Sequence, residues 1–265
     1  MARRRDRDDK ISIDASDIVE LSKATSIFEK FIQSTFAEFA GTMIYTFLAC
    51  MAVTTMDVTL IAFAEGLGIA FLCSAFLNVS GGLFNPGLTF AMALAGGVNA
   101  IAAILYFIVQ IVGALIGAAF IKAVVLNDSY YDIKGGCNQY RGLVPYDKYD
   151  ANRQIDMTPG TAVVIEAILS TMIYLVYLMA NLDKKARQVT GPLAYGFAVL
   201  VSIICAYHCT GASFNPARSF GPAVISGFWA EHYIYWAGPA IGGLLAGLFY
   251  RLILGDRKKR FILKH

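Results

Sequence analysis

Hydrophobic and polar positions fall in long blocks along this chain. Six apolar runs reach the length of a membrane span, at residues 31–55, 58–78, 99–125, 159–180, 192–210 and 232–254. A spanning helix needs about 20 mostly apolar residues. Two further apolar runs are too short, PGLTFAMALA at 86–95 and PARSFGPAVIS at 216–226. At about 1.5 Å per residue, runs of this size cover about half the hydrocarbon thickness. Each follows an Asn, which caps helix N-termini well, and opens with a Pro, which suits the first helical turn because its missing N–H is no loss there. These two runs are predicted half-helices with defined starts.

The blocks repeat. Asn85-Pro86 and Asn215-Pro216 lie 130 residues apart, Glu38 and Glu166 lie 128 apart, and Gln110-xx-Gly113 matches Pro239-xx-Gly242 at 129. Three landmarks in one order at nearly one spacing predict a duplication, with repeat one at 31–126 and repeat two at 159–254. Each repeat has three spans and sets its half-helix between the second and third. An odd number of spans inverts the second copy relative to the first. The expected fold is an all-α membrane protein of six transmembrane helices plus two half-helices in an inverted repeat.

Composition agrees with that pattern. The chain is 57% hydrophobic and 15% charged, with mean hydropathy +0.57, against about 25% charged for a soluble domain. The charge is segregated: residues 1–30 hold seven Lys/Arg and seven Asp/Glu, and the chain ends RLILGDRKKRFILKH. This marks an N-terminal tail at 1–30, a membrane-spanning unit at 31–254 interrupted by a polar connection at 127–158, and a basic tail at 255–265. The positive-inside rule puts both tails and the KKAR segment at 184–187 in the cytoplasm, with 127–158 outside. The plasma membrane is expected rather than an internal one. The start, MARRRDRDDKISID, has no apolar core of a signal peptide. A net charge of +3 does not suggest nucleic acid. No cofactor or metal is expected: Cys205 and Cys209 are four apart on one helix face, but two thiols do not make a site. Cys137 stands in the polar connection without an evident partner, so no intramolecular disulfide is expected.

Half-helices from inverted repeats enter from opposite faces and meet near the midplane at their N-termini. Each N-terminus carries about +0.5 of a charge, and each capping Asn still has amide N–H groups to offer. A water oxygen can accept from both, while the positive potential repels protons and cations. A pore for neutral solutes follows.

FNPG (84–87) and FNPARSFGPA (214–223) resemble the paired NPA boxes of the aquaporin family. The likeness covers nearly all of 31–254, with ExxGT at 38–42, SGG-x-x-NP at 80–86, QxxGA at 110–114 and YWAGP at 235–239. It implies a homotetramer with one pore per subunit, a pore centre at Asn85, Pro86, Gly87, Asn215, Pro216 and Ala217, and structural glutamates Glu38 and Glu166 buried at the half-helix loops. Gly87 stands where the family usually has Ala, so a missing methyl and a slightly looser midplane are expected. Ser219, Ala223 and the pair Tyr235-Trp236 resemble water channels rather than glycerol facilitators.

The resemblance also implies a four-residue selectivity filter above the boxes. Counted from the Asn residues, its positions are Glu65, Ile203, Ala212 and Arg218. Glu65 replaces the usual aromatic. The set resembles the wider filter of plant tonoplast intrinsic proteins, which implies passage of ammonia, urea or hydrogen peroxide beside water. Three placements stand open for Glu65: the pore wall facing Arg218, a wet vestibule at a helix end, or a subunit interface. A carboxylate in a span is costly unless it faces protein or water.

Two residues are candidates for regulation: His208, seven before Asn215, as a pH sensor or a solvated vestibule residue, and Thr190, in RQVT, as a phosphorylation site. Residues 11–30 have the pattern of an amphipathic cytoplasmic helix, a candidate gate at the pore mouth. The competing functions are a glycerol or urea facilitator, a closed-pore structural junction, and an intramembrane enzyme using His208, Ser213 and Glu166. The last lacks a GxSxG elbow, and no enzymatic activity is expected. The expected partners are water, small neutral solutes, the lipid bilayer and copies of the same chain.

Overall fold

The computed structural model describes residues 28–141, 143–145, 154–182 and 190–255. Six helices in it are long and apolar enough to span a bilayer: Phe31–Thr55, Val58–Phe76, Ala100–Val124, Pro159–Leu182, Gly191–Thr210 and Ile234–Leu254. Their helical cores are α1 (Ser34–Ala52), α2 (Val58–Phe76), α4 (Ala100–Val124), α6 (Pro159–Tyr177), α7 (Gly191–Thr210) and α9 (Ile234–Phe249). The half-helices are α3 (Pro86–Leu94) and α8 (Pro216–Ser226), and a short helix, α5 (Asn127–Asp132), opens the long connection. In that connection the strands β1 (Leu143–Pro145) and β2 (Gln154–Asp156) pair antiparallel, with Val144 opposite Ile155.

Side-chain caps set several of these starts. The Asp57 carboxylate accepts from the Leu60 N–H, Asn99 from Ala102 and Thr158 from Thr161. Pro159 follows at the first position of α6, as Pro86 and Pro216 do in the half-helices. No cap is needed along the sides, because hydrocarbon tolerates the apolar helix surface. Accordingly Phe36, Phe71, Ile101, Ile104, Val164 and Ile168 point outward, exposed on the single chain.

The packing carries the repeat. Helix α1 lies on α4 in the first copy and α6 on α9 in the second, while α2 and α7 cross between the copies. At that crossing Gly66 meets Gly196, 130 residues on. A Cβ on Gly66 would sit 2.6 Å from Leu200 Cβ and 2.8 Å from the Gly196 carbonyl, and one on Gly196 would run into the Gly66 carbonyl. The two glycines bring α2 and α7 into backbone contact at the axis relating the copies, as small residues do in membrane helix packing. The residue before each glycine, Glu65 and Tyr195, is consequently buried.

Candidate functional site

Each half-helix is preceded by a short irregular loop, 81–85 and 211–215. Irregular backbone at membrane depth leaves N–H groups without helical partners, and it survives only where protein or a cavity satisfies them. Glu38 and Glu166 do this. The Glu38 carboxylate accepts from the N–H of Leu83 (3.0 Å) and Phe84 (2.8 Å), from Ser80 Oγ (2.6 Å) and from Gln110 Nε2 (2.8 Å). The Glu166 carboxylate accepts from the N–H of Ser213 (3.0 Å) and Phe214 (2.8 Å) and from Thr210 Oγ1 (2.7 Å). Both glutamates are fully buried, so neither reaches for a helix end. The second copy lacks the glutamine contact because Pro239 stands where repeat one has Gln110.

These carboxylates hold the chain in a conformation it would otherwise avoid. Phe84 and Phe214, one before each Asn, have φ of 51° and 54°. Left-handed backbone at a bulky residue costs about 1–3 kcal/mol and persists only where its surroundings over-determine it. Asn85 Nδ2 donates to the Phe214 carbonyl (2.8 Å) and Asn215 Nδ2 donates to the Phe84 carbonyl (2.9 Å). The two Asn residues therefore bond across the copies. Each Oδ1 caps its own half-helix, Asn85 at Gly87 and Leu88, Asn215 at Ala217 and Arg218. A carboxamide has two N–H groups, and on each Asn one of them makes the cross-bond.

The looser midplane expected at Gly87 does not occur. A Cβ there would run into the Tyr174 hydroxyl, and would lie 3.0 Å from Tyr174 Cζ and 3.2 Å from Pro239 Cβ. The tyrosine takes the place of the methyl and donates to the Phe214 carbonyl at 2.7 Å, beside the Asn85 bond. Gly87 is thus the partner of Tyr174 on the neighbouring repeat.

Glu65 is 3% exposed at its side chain, paired with Arg218 at 2%. Of the three placements left open by the sequence, it has the Arg218 contact of the first. The contacts are Arg218 Nη2 to Glu65 Oε1 at 2.9 Å and Nε to Oε2 at 3.3 Å, a two-point pairing that suits the planar guanidinium. The remaining donors also have protein acceptors. Nη1 donates to the Gly136 carbonyl (2.7 Å) and approaches Cys50 Sγ (3.9 Å), and Nη2 reaches the Ala49 carbonyl (3.4 Å). Arginine has five N–H donors, so this guanidinium is occupied all round. Tyr45 donates to Glu65 Oε2 at 3.2 Å. Ile203 and Ala212, the other two expected filter positions, are buried in one apolar cluster with Ile61, Tyr45 and Phe214. Above Arg218 a cavity of about 10 Å³, room for one water, is lined by Val53, Asn138, Tyr207 and Gly211 among others.

Several of these partners carry no motif in the sequence. Asn138, in the polar connection, donates from Nδ2 to the carbonyls of Gly211 (2.8 Å) and Ala212 (3.3 Å) and accepts from Ser219 Oγ (2.6 Å). Gly136 supplies its carbonyl to Arg218. A fixed spacing in the sequence cannot reveal such contacts; only the fold brings the connection down onto α8. Cys137 has a neighbour after all: it is buried, with Sγ 3.2 Å from Ser226 Oγ. Burial pushes its thiol pKa up, against the opposing hydrogen bond from Ser226. All five cysteines are free thiols, and Cys205 is exposed on the outside of α7.

His208 is exposed at the end of α7, with its ring edge-on to Tyr207. Thr190 is exposed at the start of α7. The imagined enzyme arrangement does not form: Ser213 Oγ is bonded to Ser219 and to the Asn215 carbonyl, and Glu166 is spent on the loop. Among the described residues no three of His, Cys, Asp and Glu cluster as metal ligands. The expected amphipathic helix at 11–30 falls, except for its last three residues, outside the described residues, as do the KKAR segment and the basic tail beyond Gly255.

Six apolar spans that enclose two abutting, Asn-capped half-helices define a membrane channel built as an inverted repeat. The chain belongs to the major intrinsic proteins, the aquaporin family: the Major intrinsic protein family matches residues 25–250. It is 35% identical over 243 residues to Aquaporin-8 of Notomys alexis, covering 90% of this chain and 88% of that one. It is 34% identical over 236 residues to Aquaporin-4 of Mus musculus (85% and 68% covered) and 31% identical over 244 residues to Probable aquaporin TIP3-2 of Arabidopsis thaliana (84% of each). Its fold matches the X-ray structure of the aquaglyceroporin from Plasmodium falciparum with a TM-score of 0.68 at 18% identity, over 83% of this chain and 95% of that one. The family is one of channels rather than enzymes.

Proposed function

We propose that the chain is a passive channel for water whose filter also admits small neutral solutes such as ammonia, hydrogen peroxide and urea. The observation that carries this reading is the pairing of Glu65 with Arg218. It makes the expected filter of Glu65, Ile203, Ala212 and Arg218 electrically neutral and occupies the N–H groups of the arginine. Exclusion of ions then rests on the midplane, where the dipoles of α3 and α8 converge on Asn85 and Asn215. Solutes are selected at the filter by size and by hydrogen bonding to Glu65, not by a bare cation.

Glu65 stands where an aromatic usually closes the pore, beside the aliphatic Ile203 and the small Ala212, which supports a glycerol or small-polyol facilitator as the second reading. In this proposal the channel is a homotetramer of the plasma membrane, both tails are cytoplasmic, and the apolar outer faces of the spans meet lipid or sister subunits. The Arg218 end then opens outward.

The test is stopped-flow light scattering on proteoliposomes of the purified chain. Water flux well above that of empty vesicles, with ammonia and peroxide uptake and little glycerol entry, is the expected result. Glycerol entry comparable to water favours the facilitator. Water flux equal to that of empty vesicles favours a closed junction and sinks the channel reading.

A further inference from the structure

The inverted repeat gives each feature of one half a counterpart in the other, and the counterpart of the Arg218 station is built of tyrosines. Glu65 corresponds to Tyr195, 130 residues on, and Gly211 corresponds to Gly81. Ala49, whose carbonyl accepts from Arg218, lies eleven after Glu38; Tyr177 lies eleven after Glu166. In the Arg218 half the loop carbonyls of Gly211 and Ala212 are covered by the Asn138 amide. In the opposite half the Gly81 carbonyl accepts from the Tyr177 hydroxyl, and the Leu83 carbonyl accepts from the Tyr195 hydroxyl at 3.5 Å. The Tyr177 and Tyr195 rings stand edge to face, 5.2 Å between centroids at 83°. Both tyrosines are buried, at 1% and 2% exposure.

We propose that Tyr177, braced by Tyr195, forms a second constriction of the channel, in the half opposite Arg218, and limits which solutes pass and how fast. The inference rests on the channel reading above. Gly211 lines the small cavity over Arg218, so its mate Gly81 lies on the corresponding path through the other half. A carbonyl in an irregular loop has no helical partner and offers a docking point to a passing donor. Here a phenol occupies it. A phenol hydroxyl both donates and accepts, so a water, ammonia or peroxide molecule can take its place on Gly81 and bond the displaced hydroxyl in turn. A bulkier polyol must also move the ring, and Tyr195 resists that.

Two substitutions separate these roles. Tyr177→Phe keeps the ring and removes the phenol bond to the Gly81 carbonyl, leaving there the weak thiol contact from Cys73 Sγ at 3.9 Å; water permeability per reconstituted channel is expected to rise about two- to tenfold, the equivalent of one net hydrogen bond, with glycerol entry unchanged. Tyr177→Val removes the ring, and glycerol entry is expected to appear with the faster water flux. Permeabilities equal to wild type for both solutes in both variants would overturn the assignment of Tyr177 while leaving the channel reading intact. Absence of flux from wild type and both variants would overturn the two together. Flux in the variants alone would overturn the open-channel reading while keeping Tyr177 as the constriction. Should Tyr177→Val not fold, Tyr177→Phe decides the matter, since it keeps the ring that packs on Tyr195.

Discussion

Glu65 and Arg218 stand 153 positions apart in the chain and meet at 2.9 Å in the membrane interior, with both side chains almost wholly buried. Removing one partner of a buried pair strands the other charge, at about 3–5 kcal/mol. Glu65→Gln and Arg218→Gln are each expected to destabilise the folded chain by that order, while the double substitution regains most of the loss. Unfolding in detergent, arranged as a double-mutant cycle, measures the coupling; additive losses would show that the pair contributes little as a unit. Arg218→Gln is also expected to raise cation leak in proteoliposomes, because it leaves a net negative filter.

Gly87 and Tyr174 predict a reciprocal pair. Gly87→Ala drives a methyl into the Tyr174 hydroxyl, and overpacking of this kind costs about 1–3 kcal/mol. Tyr174→Leu clears the space, so Gly87→Ala is expected to be tolerated far better on that background than alone. Equal loss of thermal stability on both backgrounds would count against the steric account.

Glu166→Gln tests the loop scaffold. A carboxamide keeps one acceptor but turns its NH₂ toward the Phe214 N–H or, flipped, toward Thr210 Oγ1 and the Ser213 N–H. An unsatisfied buried donor costs about 1–3 kcal/mol, more for charged partners. The expectation is a marked drop in folded yield and melting temperature, with a smaller drop for Thr210→Val, which removes only one of the three bonds. A harmless Glu166→Gln would mean the left-handed Phe214 is held by something else.

Asn138 is the clearest link between the polar connection and the half-helix. Asn138→Ala uncovers the Gly211 and Ala212 carbonyls and leaves Ser219 without that acceptor. Altered solute selectivity with a modest loss of stability, about 1–2 kcal/mol, is expected. Flux ratios of water to glycerol identical to wild type would remove Asn138 from any part in selection.

Much of this architecture is legible before folding. Spans, half-helices, caps and the duplication are local patterns or fixed spacings, and hydrocarbon permits few alternatives to helices for a chain so apolar. The span limits agree with the sequence reading to within about two residues. The positions of Glu38, Glu166, Asn85 and Asn215 followed from their recurrence at nearly one offset. Tyr45, Tyr174, Gly136 and Asn138 were not legible, because each acts through a partner far away in sequence, and nothing local marks a tyrosine or a loop glycine for that role.

The sequence by itself determined the class of fold, the inversion of the two copies and the meeting of two Asn-capped helix ends, because periodicity, length and recurrence are one-dimensional properties. Tertiary structure alone decided what Glu65 faces, that Tyr174 fills the space beside Gly87, and that Tyr177 and Tyr195 cover the carbonyls of the first loop. A buried charge or hydroxyl takes its meaning from the groups that solvate it in place of water. Those groups are chosen by packing across the axis at Gly66 and Gly196, which no single stretch of the chain contains.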